Sequence, residues 1–213
     1  MNSFKLKVLA CILMFIDHLG AIIFINNDYL RIIGRLSFPI FAFMIVEGYF
    51  HSKDIKKYFI RLGLFAIIPQ IPYTIAFGPG TLNIFFTLFI GLLAIFLEEK
   101  IANRFLKYLA VILLVIFAQV IEVDYGFYGV LLIYIFKIFR NNFKALFFSF
   151  LILNLSVFNL YSFQYYSIFS LIFIRLYNGQ LGLRNLWVKY GFYLFYPLHI
   201  LAIYGFSLFL NRF

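Results

Sequence analysis

Cysteine is almost missing from this chain. Cys11 stands alone among 213 residues, which excludes an internal disulfide framework and any cysteine-based metal spacing. Charge is scarce as well: Asp, Glu, Lys and Arg make up 12% of the sequence, against about 25% in soluble domains. Acids are the scarcer sign, with 8 Asp and Glu against 18 Lys and Arg. There is no internal repeat, no linker and no low-complexity tail, so the simplest reading is one domain over 1–213. No His-Glu-x-x-His pair or comparable ligand spacing occurs, and no metal is expected.

What fills the chain is apolar. The hydrophobic fraction is 65% and mean hydropathy is +0.99. A soluble core of this size cannot hide so much apolar surface, so the sequence reads as an all-α, polytopic membrane bundle. The net charge of +10 raises nucleic acid as a partner. The cations, however, lie in short clusters between apolar runs, the pattern of the positive-inside rule, and the expected contact is membrane lipid instead. Lys5 and Lys7 before an apolar stretch imitate a signal peptide. Asp17-His18 interrupts that stretch and no small-residue cleavage site follows, so it is read as a span.

Apolar runs predict about nine spans, at 6–25, 30–50, 57–77, 82–98, 105–121, 126–139, 144–159, 162–177 and 190–210. The sixth is short. Pro69 and Pro72 should kink the third, and Gly78-Pro79-Gly80 is a tight turn. With the N-terminus in the cytosol, Lys5, Lys7, Lys53, Lys56, Lys57, Arg61, Lys100, Arg104, Lys107, Lys137, Arg140, Lys144, Arg175, Arg184 and Lys189 fall at cytosolic ends. The outer connections then carry Asp28, Glu122 and Asp124. Arg31, Arg35 and the terminal Arg212 are the exceptions. For the first two, something other than topology must hold them in place.

The polar residues inside the apolar runs are the candidate site, because ionisable groups in a bilayer are costly. Asp17 and His18 sit in the first run; Arg35 and Glu47 lie in the second, with His51 just beyond. At a rise of about 1.5 Å per residue, His18 lies about 18 Å from the inner end of its span and Arg35 about 8 Å from the outer end of the next, at similar depth. The short Asn26-Asn27-Asp28 turn keeps these spans adjacent. Asp17 points about 100° away from His18 on a helix, so Arg35 is a better partner for it. Glu47 and Arg61 share a depth near the inner face, and His199 falls near the midplane. Together these groups could line a polar passage. His18 suits a general base, Arg35 an oxyanion donor, and Lys53, Lys56, Lys57 and Arg61 a rim for phosphates. The alternatives are structural: a polar cluster or ion pair that locks helices, and a basic rim that serves topology and anionic lipid. Asn83, Thr87 and Gln119 read as interhelical glue, and Asp124-Tyr125-Gly126 as an outer turn.

The stretches LKVLACILMFIDHLG, RIIGRLSFPIFAFMIVEGYFHS, KYFIRLGLFAIIPQIPY, LNIFFTLFIGLLAI, DYGFYGVLLIYIF and FYLFYPLHI, in that order, resemble the TraX family of membrane proteins from Leu6 to Leu201. Named members of that family acetylate the N-terminal amine of a conjugative pilin subunit. The family is similar to the wider class of integral-membrane acyltransferases, which take acetyl groups from cytosolic acetyl-CoA. That class places a basic residue ahead of an intramembrane histidine with ten residues between them, as Lys7 stands to His18. Its Arg-x-x-Arg motif is matched only in its second arginine, by Tyr58 and Arg61. The resemblance implies a bacterial cell-membrane acetyltransferase using acetyl-CoA, with His18, Asp17 and Arg35 at its centre and an acceptor that the sequence does not encode. The competing class is a transporter relaying protons through the same groups. The lack of an inverted repeat speaks against it.

Overall fold

Asparagine and aspartate start most of the helices. Asn2, Asp54, Asn83 and Asn103 each accept a backbone N–H two or three residues on, from Lys5, Lys57, Phe85 and Leu106, at 3.0–3.1 Å. Such caps satisfy donors that the first turn leaves open. The bond from the Lys57 amide, with the Lys57 ammonium beside it, also holds the Asp54 carboxyl below the usual carboxylate range.

A computed structural model describes residues 1–159, 161–183 and 185–210; Arg184 and Arg212 of the charge argument lie outside them. Among the described residues the chain is helical, with a single isolated bridge between Leu82 and Val123. The elements are α1 (Ser3–Ile22), α2 (Asp28–Gly34), α3 (Ser37–His51), α4 (Ile55–Ile67), α5 (Gln70–Phe77), α6 (Ile84–Lys100), α7 (Arg104–Val120), α8 (Gly126–Ile138), α9 (Phe143–Val157), a 3₁₀ helix (Phe163–Phe169), α10 (Ser170–Arg175) and α11 (Leu186–Leu210). Among the described residues, three stretches are long and apolar enough to cross a membrane: Asp28–His51, Ile55–Phe77 and Leu186–Leu210.

Two expected spans are broken, and one is of a different kind. The second is interrupted between Gly34 and Ser37. Pro39 explains this, because its ring opposes the carbonyl four residues earlier, that of Arg35. The third breaks between Ile67 and Gln70 at Pro69 and Pro72, where a kink was expected. The eighth, expected at 162–177, is the 3₁₀ helix followed by short α10. At about 2.0 and 1.5 Å per residue these reach only about 23 Å, less than the roughly 30 Å of bilayer hydrocarbon.

The chain forms two compact units. The first comprises Met1–Phe41, Ile75–Phe77 and Asn154–Phe213, and the second Ala42–Thr74 and Gly78–Leu153. In the first, α1 packs on α2 and α11, and α2 meets the 3₁₀ helix. Ser37 Oγ donates to the Ala10 carbonyl at 2.8 Å, tying the start of α3 to α1.

In the second unit, α6, α7 and α8 close around Ile90, Ala94, Val111, Ala118 and Val130. Buried Asn83 donates to the Ala66 carbonyl and to Gln70 Oε1 at 2.7 and 2.8 Å. Buried Thr87 donates to the Asp124 carbonyl, and Gln119 Oε1 accepts from the Phe127 amide at 3.4 Å. These three residues hold segments together, the role the sequence suggests for them. The Asp124-Tyr125-Gly126 turn needs positive φ at Tyr125 (63°) and Gly126 (47°). In the other turn, Gly78 and Gly80 supply φ of 87° and 116°, values that suit a residue without Cβ.

Candidate functional site

In the first unit, the ionisable site candidates lie on α1, at the end of α2 and on α11. Asp17 is buried on α1. Its carboxylate accepts from Arg35 at 2.6 Å through Oδ1 and again through Oδ2. Arg31 lies 3.0 Å from Oδ2 and donates to the Asp17 backbone carbonyl at 3.0 Å. Arg31 and Arg35 are four residues apart, so they share a face of the chain as it passes α1. This clamp is what holds both arginines, which the charge pattern of the sequence leaves unexplained. Gly34 makes it possible: a Cβ there would overlap Asp17, backbone included.

His18 turns to another neighbour. Its Nδ1 lies 2.7 Å from Nε2 of His199 on α11. The ring planes differ by 3° and the centroids are 4.9 Å apart. That separation is close to the N···N distance plus two centre-to-nitrogen radii. The rings therefore lie edge to edge in nearly one plane, sharing an in-plane hydrogen bond, and are not face to face. His199 Nδ1 in turn lies 2.6 Å from the Phe195 carbonyl oxygen. Phe77, Tyr196 and Phe195 pack around the two imidazoles. His199 is buried, whereas His18 keeps part of its surface open. Among the described residues His18 Nε2 has no hydrogen-bond partner. An imidazole nitrogen left without a bond in an aromatic wall can take a proton from a bound group.

The remaining candidates belong to the second unit. Glu47 does not pair with Arg61. Its carboxylate is taken by Arg140, at 2.6 Å from Nε and 3.2 Å from Nη2, while the Arg140 guanidinium lies over the Phe50 ring. His51 Nδ1 lies 2.8 Å from the Glu47 carbonyl and 3.6 Å from its carboxylate. Equal depth did not make a pair of Glu47 and Arg61, because depth says nothing about which way a side chain faces around its helix. Arg61 instead sits over the ring of Tyr58, one turn earlier, with its Nε buried and without a hydrogen bond. Lys53 and Lys56 are exposed, and Lys57 bonds Asp54 at 3.2 Å. Lys7, in the first unit, lies 6.0 Å from the centre of the Phe192 ring. Among the described residues no three His, Cys, Asp or Glu side chains gather as metal ligands.

The partners of Asp17 and Glu47 were only partly foreseeable. Arg31, Arg140 and the joining of His18 to His199 escaped the sequence reading. Arg31 gave a signal, its breach of the charge rule; Arg140 gave none, being 93 residues from Glu47.

Comparison with known proteins gives these contacts a setting. A probable fimbrial assembly protein, FimC of serogroup H1, from Dichelobacter nodosus is 31% identical, covering 99% of this chain and 97% of that protein. An uncharacterised protein of Rickettsia prowazekii is 32% identical over 57% of this chain and 49% of its own length. No solved structure matches. The TraX protein family matches residues 3–207, a stretch that contains the Asp17 clamp, both site histidines and the basic rim, and the chain belongs to that family.

Proposed function

We propose that this chain is an acetyltransferase of the bacterial cytoplasmic membrane, moving an acetyl group from cytosolic acetyl-CoA to an amine or hydroxyl at or beyond the membrane. The observation that carries this reading is the part-open imidazole of His18, held in plane by His199 and set beside the Asp17–Arg31–Arg35 clamp. Asp17 is occupied by the arginines and does not orient His18, so its role is to keep two guanidinium groups beside the base.

The chemistry is short. His18 Nε2 removes the acceptor's proton as its nitrogen or oxygen attacks the thioester carbonyl. The C–S bond breaks, and the departing CoA sulfur takes the proton back from His18, giving the acetylated acceptor and CoA-SH. Arg35, with Arg31, offers positive charge to the oxyanion that develops on the way. In the second unit, Lys53, Lys56 and Lys57 supply cations for the CoA phosphates, and Arg61 Nε a buried donor. With the N-terminus in the cytosol, the first two apolar runs carry the chain out and back, and the rim then faces the acetyl-CoA side. The fimbrial name of the Dichelobacter relative supports the N-terminal amine of a pilin subunit as the acceptor.

The test is to incubate the purified protein with labelled acetyl-CoA, alone and with pilin N-terminal peptide, sugar and lipid acceptors. Label in none of them sinks the reading. Replacing Lys56, Lys57 and Arg61 together by Gln should weaken acetyl-CoA binding about tenfold or more, as expected for lost charge-assisted bonds, and leave folding intact. Unchanged binding by calorimetry would leave the rim a topology and lipid signal.

A further inference from the structure

We propose that His199, anchored by the Phe195 carbonyl, locks His18 in the tautomer that bares Nε2, and receives the Nδ1 proton when Nε2 is protonated. His199 is thus a positioning residue acting through His18, and its place in the reaction rests on the acetyltransferase reading above.

The argument is a count of protons along a chain of atoms. A carbonyl oxygen only accepts, so His199 Nδ1, 2.6 Å from the Phe195 oxygen, must carry hydrogen. A neutral imidazole has one N–H, so His199 Nε2 is bare and must be the acceptor in its 2.7 Å bond with His18. The hydrogen between the rings therefore belongs to His18 Nδ1. The same rule then leaves His18 Nε2 with a lone pair and no hydrogen. Water alone would favour the opposite form of a free histidine, with hydrogen on Nε2. Here that form would set two lone pairs face to face across 2.7 Å.

The arrangement also has a direction. When Nε2 takes a proton, the Nδ1 hydrogen can cross to His199 Nε2 along the in-plane bond, spreading one positive charge over two rings. It goes no further, because the next atom is a carbonyl that cannot be protonated. The Phe195 dipole then faces the charge. When Nε2 gives its proton away, the bridging hydrogen returns. Asp17 cannot serve as the orienting group, since Arg31 and Arg35 hold its carboxylate. That leaves His199 as the group that sets the state of His18, in the way a buried acid does in a catalytic triad.

The test uses the full-length protein with ring-¹⁵N histidine and a His51→Gln background, so that two imidazoles remain, with His199→Gln to assign them. Long-range proton–nitrogen correlation reads the tautomer directly and needs no acceptor. Both rings should show hydrogen on Nδ1 and a bare Nε2. Hydrogen on His18 Nε2 would overturn the proposal. His199→Gln places an amide oxygen near the position of Nε2 and should keep His18 in the same form, with turnover within about tenfold of wild type. His199→Leu removes the acceptor; it should release His18 to the other tautomer and lower kcat about 10²-fold or more, with KM for acetyl-CoA little changed. A well-folded His199→Leu protein that keeps both the tautomer and kcat refutes the lock, and if it fails to fold, the wild-type spectrum still decides. Expected tautomers with no transfer to any acceptor would refute the acetyltransferase reading and support the lock.

Discussion

An imidazole between helices can serve as a base or as glue, and substitution separates the two. If His18 accepts the proton, His18→Ala and His18→Asn should both lose most acetyl transfer, about 10²–10⁴-fold, because asparagine cannot take up the proton. If it only joins α1 to α11, asparagine should keep activity and stability where alanine loses both. Turnover and thermal stability of each purified variant decide the matter; near-normal turnover of His18→Asn at equal stability removes the base. Single residues were also where the sequence was most legible. Asp17, His18 and Arg35 stand out because polar groups are costly in an apolar run, and the 100° step between adjacent residues already turned Asp17 toward Arg35. What stayed hidden were contacts across long separations. His18 and His199 are 181 residues apart, and nothing local to either encodes the other. Arg61 and Glu47 mark the converse limit: a matching height on two helices leaves open whether their side chains meet, and here Arg140 takes the carboxylate.

At the level of elements, the clamp depends on how closely α2 lies against α1. Gly34→Ala should therefore cost stability, about 1–3 kcal/mol as for other overpacked sites, and should loosen Asp17 from Arg35. Thermal denaturation of the purified variant checks this, and an unchanged midpoint would mean that α2 can shift without penalty. Asp54 acts at the other end of this stretch of chain. Its carboxyl is held below the usual range, so its support for α4 is complete above that range and fades as pH falls below it. The periodic apolar runs made the positions of the helices readable, and Pro69 and Pro72 announced a break. Pro39 made an equally clear one that the apolar run concealed. Hydropathy also could not distinguish the 3₁₀ turn at Phe163–Phe169 from an α-helix, since both are equally greasy; they differ in which carbonyl each N–H meets.

For the whole molecule, orientation in the bilayer is open to a labelling test. Cys11 is the only cysteine and is buried, so Cys11→Ala gives a background for single thiols. With a cytosolic N-terminus, Asn27→Cys should react with an impermeant maleimide on intact cells and Lys53→Cys only after the inner face is opened. The reverse pattern would invert the topology. Composition alone gave the membrane class, but it could not show that the chain gathers into two compact units, because that division follows tertiary contacts and no linker marks it. Within the second unit, the Leu82–Val123 bridge carries a consequence for how the molecule comes apart. The Leu82 amide donates to Glu122 at 3.0 Å and the Asp124 amide returns to the Leu82 carbonyl at 2.7 Å, so the loop leading into α6 is tied to the loop that joins α7 to α8. Fraying at either loop must break the same bonds. The three helices should open as a single cooperative block, and the Leu82 and Asp124 amides, loop residues both, should exchange with deuterium as slowly as the helices beside them.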